Sequence, residues 1–158
     1  MQRFLVTILF TCFYSIGYGQ KTFPYNIQQR PLPVGGNFEK LLPKKVGLFS
    51  RIAIKEPTPG LDGEAVYQNG KDEVFMLFSL SADRKDQEET MQTIFTETKE
   101  NAIGEQRQTS LKAGPMYIHL IGKGIAFFAW TRGLYCFSAD SKGGNPAVLK
   151  NFMEKFPY

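Results

Sequence analysis

Cysteine and histidine are almost missing from this sequence: 158 residues hold two cysteines, Cys12 and Cys136, and one histidine, His119. A structural zinc site takes four Cys or His ligands, so these three residues cannot build one. A disulfide framework is excluded too, because disulfide-stapled domains carry several cysteine pairs. Clustered charge is also lacking. The net charge is +4, but the basic residues are scattered, with no run longer than two, as at Lys44-Lys45. A nucleic-acid or polybasic membrane patch needs clustering, so no nucleic-acid partner is expected. No Gly-x-Ser-x-Gly, His-Glu-x-x-His or Cys-x-x-Cys occurs, which removes the common nucleophile-elbow, zinc-protease and dithiol signatures. Long hydrophobic runs are limited to one, Phe4 to Tyr14, broken by Thr7, Thr11 and Cys12. It is shorter than the roughly 20 apolar residues a spanning helix needs.

That run has another reading. Met1-Gln2-Arg3 is a positively charged start, and Gly17 and Gly19 stand at the −3 and −1 positions of a cut before Gln20. A charged start, a short apolar middle and a small-x-small end make a secretory signal peptide. The expectation is an exported protein, periplasmic or secreted, whose mature chain starts at Gln20 with no membrane span. Cleavage after Gly19 leaves 139 residues, enough for one domain with its own core. Cys12 departs with the signal, so no internal disulfide is expected. The alternative is a lipid anchor at Cys12, against which Phe10 and Thr11 are bulky for a lipoprotein cut.

The mature part divides into a lead-in at 20–36, rich in Pro and Gly and without period, and a single domain at 37–158. Asn37 can cap a helical turn carrying Phe38, Leu41 and Leu42, stopped by Pro43. Val46 to Ile54 reads as a first strand, with Val46, Leu48, Ile52 and Ile54 on one face. Glu64 to Gln68 is a second, and Asn69-Gly70 reads as a two-residue hairpin turn with φ > 0 at both positions. Glu73 to Ser81 is apolar on both faces, which predicts a central strand covered on both sides. Asp83 to Ala102 reads as a helix capped by Asp83, with Met91, Ile94, Phe95, Thr98 and Ala102 as its buried stripe and the rest solvated. Four short segments follow: a polar edge strand at Glu105 to Leu111, then Met116 to Ile121, Ile125 to Trp130 and Leu134 to Ser138, joined by glycine turns. Asn145-Pro146 opens a last helix with Leu149, Phe152, Met153 and Phe156 inward. The fold class is α+β: an antiparallel sheet of about six strands packed by two amphipathic helices, after a cleaved signal peptide.

The segment Ala126-Phe127-Phe128-Ala129-Trp130-Thr131-Arg132-Gly133-Leu134-Tyr135-Cys136-Phe137, with the helix ending Leu149, Phe152, Met153, Phe156 and Pro157, resembles the closing hairpin and helix of PsbP-like α/β domains. The earlier hairpin and the helix from Asp83 fit the same order. The resemblance implies a fold class. That superfamily hosts accessory, binding and assembly proteins without a shared catalytic motif, so no functional residue is carried over.

Chemistry has few places to reside. His119 titrates near neutral pH and can serve as a general base, alone or with Cys136 or a carboxylate; the plainer reading is a partly exposed sheet histidine. Cys136 lies between Tyr135 and Phe137, where a thiol behaves as a small hydrophobe. Asp83, Asp86, Glu88 and Glu89 lack calcium-loop spacing and read as helix-end charges. Gly122-Lys123-Gly124 reads as a turn rather than a phosphate loop. No metal or cofactor is expected. Trp130, Arg132 and Tyr135 share one hairpin and are the residue types that anchor binding surfaces, so they form the candidate binding surface; the opposing reading makes Trp130 core. The expected function is a small exported non-enzymatic domain that binds an unidentified protein or small amphiphile, or supports an assembly of the cell envelope. The alternatives are an envelope hydrolase or transferase using His119, and a lipid or amphiphile carrier with an apolar pocket between sheet and helix.

Overall fold

The computed structural model describes residues 24–35, 37–56, 58, 61–99, 104–109 and 116–158, with side chains except at 99 and 104–109. The expected signal peptide, Cys12, Gly114-Pro115 and Ala102 lie outside these residues. In chain order the elements are α1 (Phe38–Leu41), β1 (Lys45–Val46), β2 (Phe49–Lys55), β3 (Asp62–Asn69), β4 (Asp72–Leu80), α2 (Arg84–Lys99), β5 (Gly104–Thr109), β6 (Tyr117–Gly122), β7 (Ile125–Arg132), β8 (Tyr135–Ser141) and α3 (Pro146–Met153). The strands form one antiparallel sheet in the order β1-β2-β3-β4-β8-β7-β6-β5. The α+β class is as expected. The sheet is larger than the expected six strands: seven full strands and the two-residue β1 at one edge.

Local chemistry sets the helix starts. The Asn37 side chain accepts from Lys40 N at 3.0 Å. Asp83 accepts from Asp86 N at 2.9 Å, and Asp86 reaches back to Ala82 N at 2.8 Å. Asn145 accepts from Ala147 N and Val148 N, with Pro146 in the first turn. Each cap satisfies amide donors that the helix itself leaves free.

Two strand expectations need correction. The chain folds back at Gly47-Leu48, so Val46 pairs with Phe49 and Leu48 is exposed in the turn rather than sharing a face with Val46. Asn69 pairs with Asp72, so the second turn is Gly70-Lys71, not Asn69-Gly70. Of the two only Gly70 has positive φ, at 61°. This is the φ pattern of a type II′ turn, which needs a glycine at its first position only. The misplacement is one residue, and Asn69 remains in the ladder.

The topology decides which face is covered. The chain leaves β4 in the middle of the sheet, crosses as α2 to the far edge at β5, then meanders back until β8 pairs with β4. On one face, Tyr67, Met76, Phe78, Phe128, Trp130 and Phe137 pack with Leu149, Phe152 and Met153 of α3. On the other, Ile118, Leu120, Phe127, Ala129 and Cys136 pack with Met91 of α2. Helix α2 packs mainly on β6 and β8. β4 is central as expected, but it is not covered on both sides: Phe75 is 39% and Leu77 46% exposed. The buried stripe of α2 also includes a polar residue, one turn before Met91. Gln87 is fully buried and donates to the carbonyls of Gly133 at 2.9 Å and Tyr135 at 3.3 Å, tying α2 to the β7–β8 turn. The lead-in packs on the α3 face, where Tyr25 and Ile27 are buried and Arg30 N donates to the Pro157 carbonyl at 2.7 Å.

Candidate functional site

The three hairpin residues do converge on one side of the sheet, because Trp130 pairs with Phe137 and Arg132 with Tyr135. That side is the α3 core. Trp130 is 1% exposed, stacked between Phe128 at 5.2 Å and Phe137 at 5.3 Å, and its Nε1 donates to the Tyr158 carbonyl at 3.2 Å. Tyr135 is half-buried against Phe78 and Phe137. Arg132 donates to the Gln29 carbonyl at 2.9 Å, which fastens the lead-in to the hairpin. The hairpin therefore presents no open aromatic patch: strand alternation turned its large rings inward.

His119 and Cys136 are on opposite faces. His119 pairs with Phe128, whose ring belongs to the α3 core, while Cys136 belongs to the α2 core. The structure does not bring them together. The Tyr25 hydroxyl hydrogen-bonds His119 Nε2 at 2.8 Å, and its ring meets His119 and Phe128 edge-on. Burial pushes the Tyr25 pKa up to about 12, so this hydroxyl keeps its proton at neutral pH. Burial also raises the Cys136 thiol, with Ser81 Oγ 3.8 Å from its sulfur. A buried thiol with a raised pKa is a poor nucleophile. The four acids at the start of α2 are engaged in that helix: Asp83 and Asp86 in the cap, Glu88 with Arg84 at 3.2 Å and Glu89 with Lys85 at 3.7 Å. Lys123-Gly124 is a plain hairpin turn between β6 and β7. No group of three or more potential metal ligands occurs among the described residues. No described helix is long and apolar enough to cross a membrane.

The site that the sequence reading missed lies on the α2 side of the sheet, where α2 stops short. Register places Ala53, Val66 and Phe75 in one row across β2, β3 and β4, and Lys55, Glu64 and Leu77 in the next. These residues line an open hollow of about 380 Å³. A second hollow of about 390 Å³ shares Glu64 and Leu77 and runs to α2, where Thr90 and Ile94 meet Ser79, Cys136 and Ser138. Together they form one trough across the sheet with Leu77 at its centre. Its floor is apolar, and Lys55 and Glu64 pair across it at 3.9 Å. Asp140 continues the Phe75 row toward Phe127, and burial raises its carboxyl above its ordinary pKa. Nothing in the sequence pattern marks this surface, because a strand apolar on both faces reads as fully covered. Its only signal is that, among the described residues, two helices of eight or more residues serve eight strands.

No protein-family model matches the chain, and none of the curated proteins matches it. Among solved structures, a GTP binding regulator from Thermotoga maritima is similar over 71% of this chain and 80% of its own, at 14% identity and a TM-score of 0.48. A likeness at that level carries no argument about function.

Proposed function

We propose that this chain is an exported, non-catalytic domain that binds a protein partner of the cell envelope through the trough on β2, β3 and β4. The observation that carries this reading is the exposure of Phe75 and Leu77 on a central strand beside Val66 and Ala53. Water-exposed apolar side chains that adjoin in a row are the usual mark of a docking surface, whereas scattered ones need no explanation. The trough is open along its length, which suits an extended or helical protein segment more than an enclosed small molecule. The pattern of Met1 to Gly19 supports export, to the periplasm or beyond, with anchoring at Cys12 as the alternative. The placement of His119 and Cys136 on opposite faces weighs against the hydrolase or transferase reading. The resemblance of 126–137 and the closing helix to PsbP-like domains agrees with a binding or assembly role.

The test is capture of the partner from the native envelope, followed by rebinding of the purified partner to variants. Leu77→Glu places a charge in the trough at an exposed position and should weaken binding tenfold or more, while Leu134→Glu, exposed in the β7–β8 turn, should not. Equal binding by both variants would remove the trough from the function. A second reading, an amphiphile carrier, is favoured by the hollow between α2 and β4, whose volume falls within the ~300–1,000 Å³ of small-molecule sites. Laurate that binds the purified protein and is lost in Leu77→Glu would favour that reading.

A further inference from the structure

Arg30, Lys45 and Lys155 are distant in sequence and meet at one hollow of about 550 Å³. Arg30 comes from the lead-in, Lys45 from β1, and Lys155 from the tail after α3. Gln28 and Tyr158 are the other polar side chains beside them, and Pro31, Pro43 and Pro157 supply stiff walls. None of the three cations is in an ion pair with a carboxylate among the described residues. Glu154, next to Lys155 in the chain, turns to Lys150 instead, 3.9 Å away.

The segments that carry the cations are tied to one another. The Arg30 backbone N–H donates to the Pro157 carbonyl at 2.7 Å, which fixes the lead-in beside the tail. The Tyr158 hydroxyl donates to the Lys40 carbonyl at 3.0 Å, which fixes the tail beside α1. Gly47, with φ of 58°, leaves room for the Lys155 stem to lie on the β1–β2 turn; a Cβ there would stand 2.8 Å from Lys155 Cγ. No Asp or Glu is among the residues lining the hollow, so its three like charges repel one another, and one multivalent anion relieves those repulsions together. A phosphate offers several acceptor oxygens to the donors of one guanidinium and two ammonium groups. A single carboxylate has two oxygens and one charge, and leaves most of the cluster unmatched.

We propose that this hollow is a binding site for a phosphate group, carried by a free small anion or by a lipid headgroup. It is separate from the trough, on residues that the trough does not use, and does not depend on the reading given for it.

The experiment titrates the full chain with inorganic phosphate by calorimetry, and separately with vesicles of phosphatidylcholine alone or with one-third phosphatidylglycerol. The variants are Lys45→Gln, Arg30→Gln/Lys155→Gln, and Lys85→Gln on α2 as a control. All four side chains are exposed, and circular dichroism checks that the fold is kept. The expected result is phosphate binding that weakens severalfold in Lys45→Gln and tenfold or more in the double variant, with Lys85→Gln unchanged. Vesicle binding that needs phosphatidylglycerol and falls in the same variants, without binding of inorganic phosphate, assigns the phosphate to a headgroup. Failure of both probes overturns the proposal. So does binding that survives the double variant or falls equally in Lys85→Gln.

Discussion

Replacing Trp130 with alanine separates a binding hairpin from a structural one. Trp130 is 1% exposed and has two stacked neighbours, Phe128 and Phe137, plus Phe156 edge-on at 5.6 Å. Truncating a buried tryptophan costs about 3–5 kcal/mol through lost transfer energy and the cavity left behind. The ring pairs add about 0.5–1.5 kcal/mol each beyond their area. Loss of the Nε1 donor at 3.2 Å from the Tyr158 carbonyl adds about 1 kcal/mol. These contributions overlap, and the expected loss is the upper end of the range, about 5 kcal/mol. For a domain of ordinary stability, about 5–15 kcal/mol in total, that is a third or more. The melting midpoint should fall by about 10–20 °C, at roughly 2–4 °C per kcal/mol for this chain length. Urea denaturation followed by far-UV circular dichroism is the assay, because Trp130 is the only tryptophan and its fluorescence goes with it. Phe75→Ala, at an exposed position, is the control and should cost far less. A Trp130→Ala protein within about 1 kcal/mol of the parent would refute the core assignment, since the least buried-tryptophan cost is about three times that.

Three further outcomes are expected. Gly70→Val should cost about 1–2 kcal/mol, a purely backbone penalty, because no atom lies near the added Cβ; an unchanged urea midpoint would count against the Gly70-Lys71 turn. Cys136 should label slowly under native conditions and quickly in denaturant, since it is 2% exposed with a raised pKa; fast native labelling by a maleimide would contradict its burial. Asp140 has a folded-state pKa raised by burial, so the folded state holds its proton longer than the unfolded one. Its contribution to stability is therefore full below the unfolded pKa and is lost as pH rises through the folded pKa. Asp140→Asn should be more stable than the parent at neutral pH and lose part of the pH dependence in acid; a parent more stable at pH 7 would show that the ionised carboxylate is favourably held.

What could be read directly in the chain is what depends on near neighbours. Asp83 and Asn145-Pro146 announce α2 and α3 because a capping side chain acts within one turn. The stripes Met91, Ile94, Phe95 and Leu149, Phe152, Met153 follow from the 3.6-residue period alone. Short strands between glycines gave the antiparallel class for the same reason, although Gly47 and Gly70 each shifted a boundary that hydrophobic pattern does not resolve. The surfaces were settled elsewhere. Whether Phe75 is buried depends on where α2 lands, and α2 lands over β6 and β8 because the chain after it must reach the far edge and return. Trp130 faces inward because the register of β7 with β8 stacks it on Phe137. His119 and Cys136 part because their strands present opposite parities to the two cores. Arg30, Lys45 and Lys155 look scattered along the chain and become neighbours only when the lead-in, β1 and the tail pack together. Local sequence sets which elements form, since those energies are short-range. Long-range packing decides which sides of them meet water, and a binding surface is made of those sides.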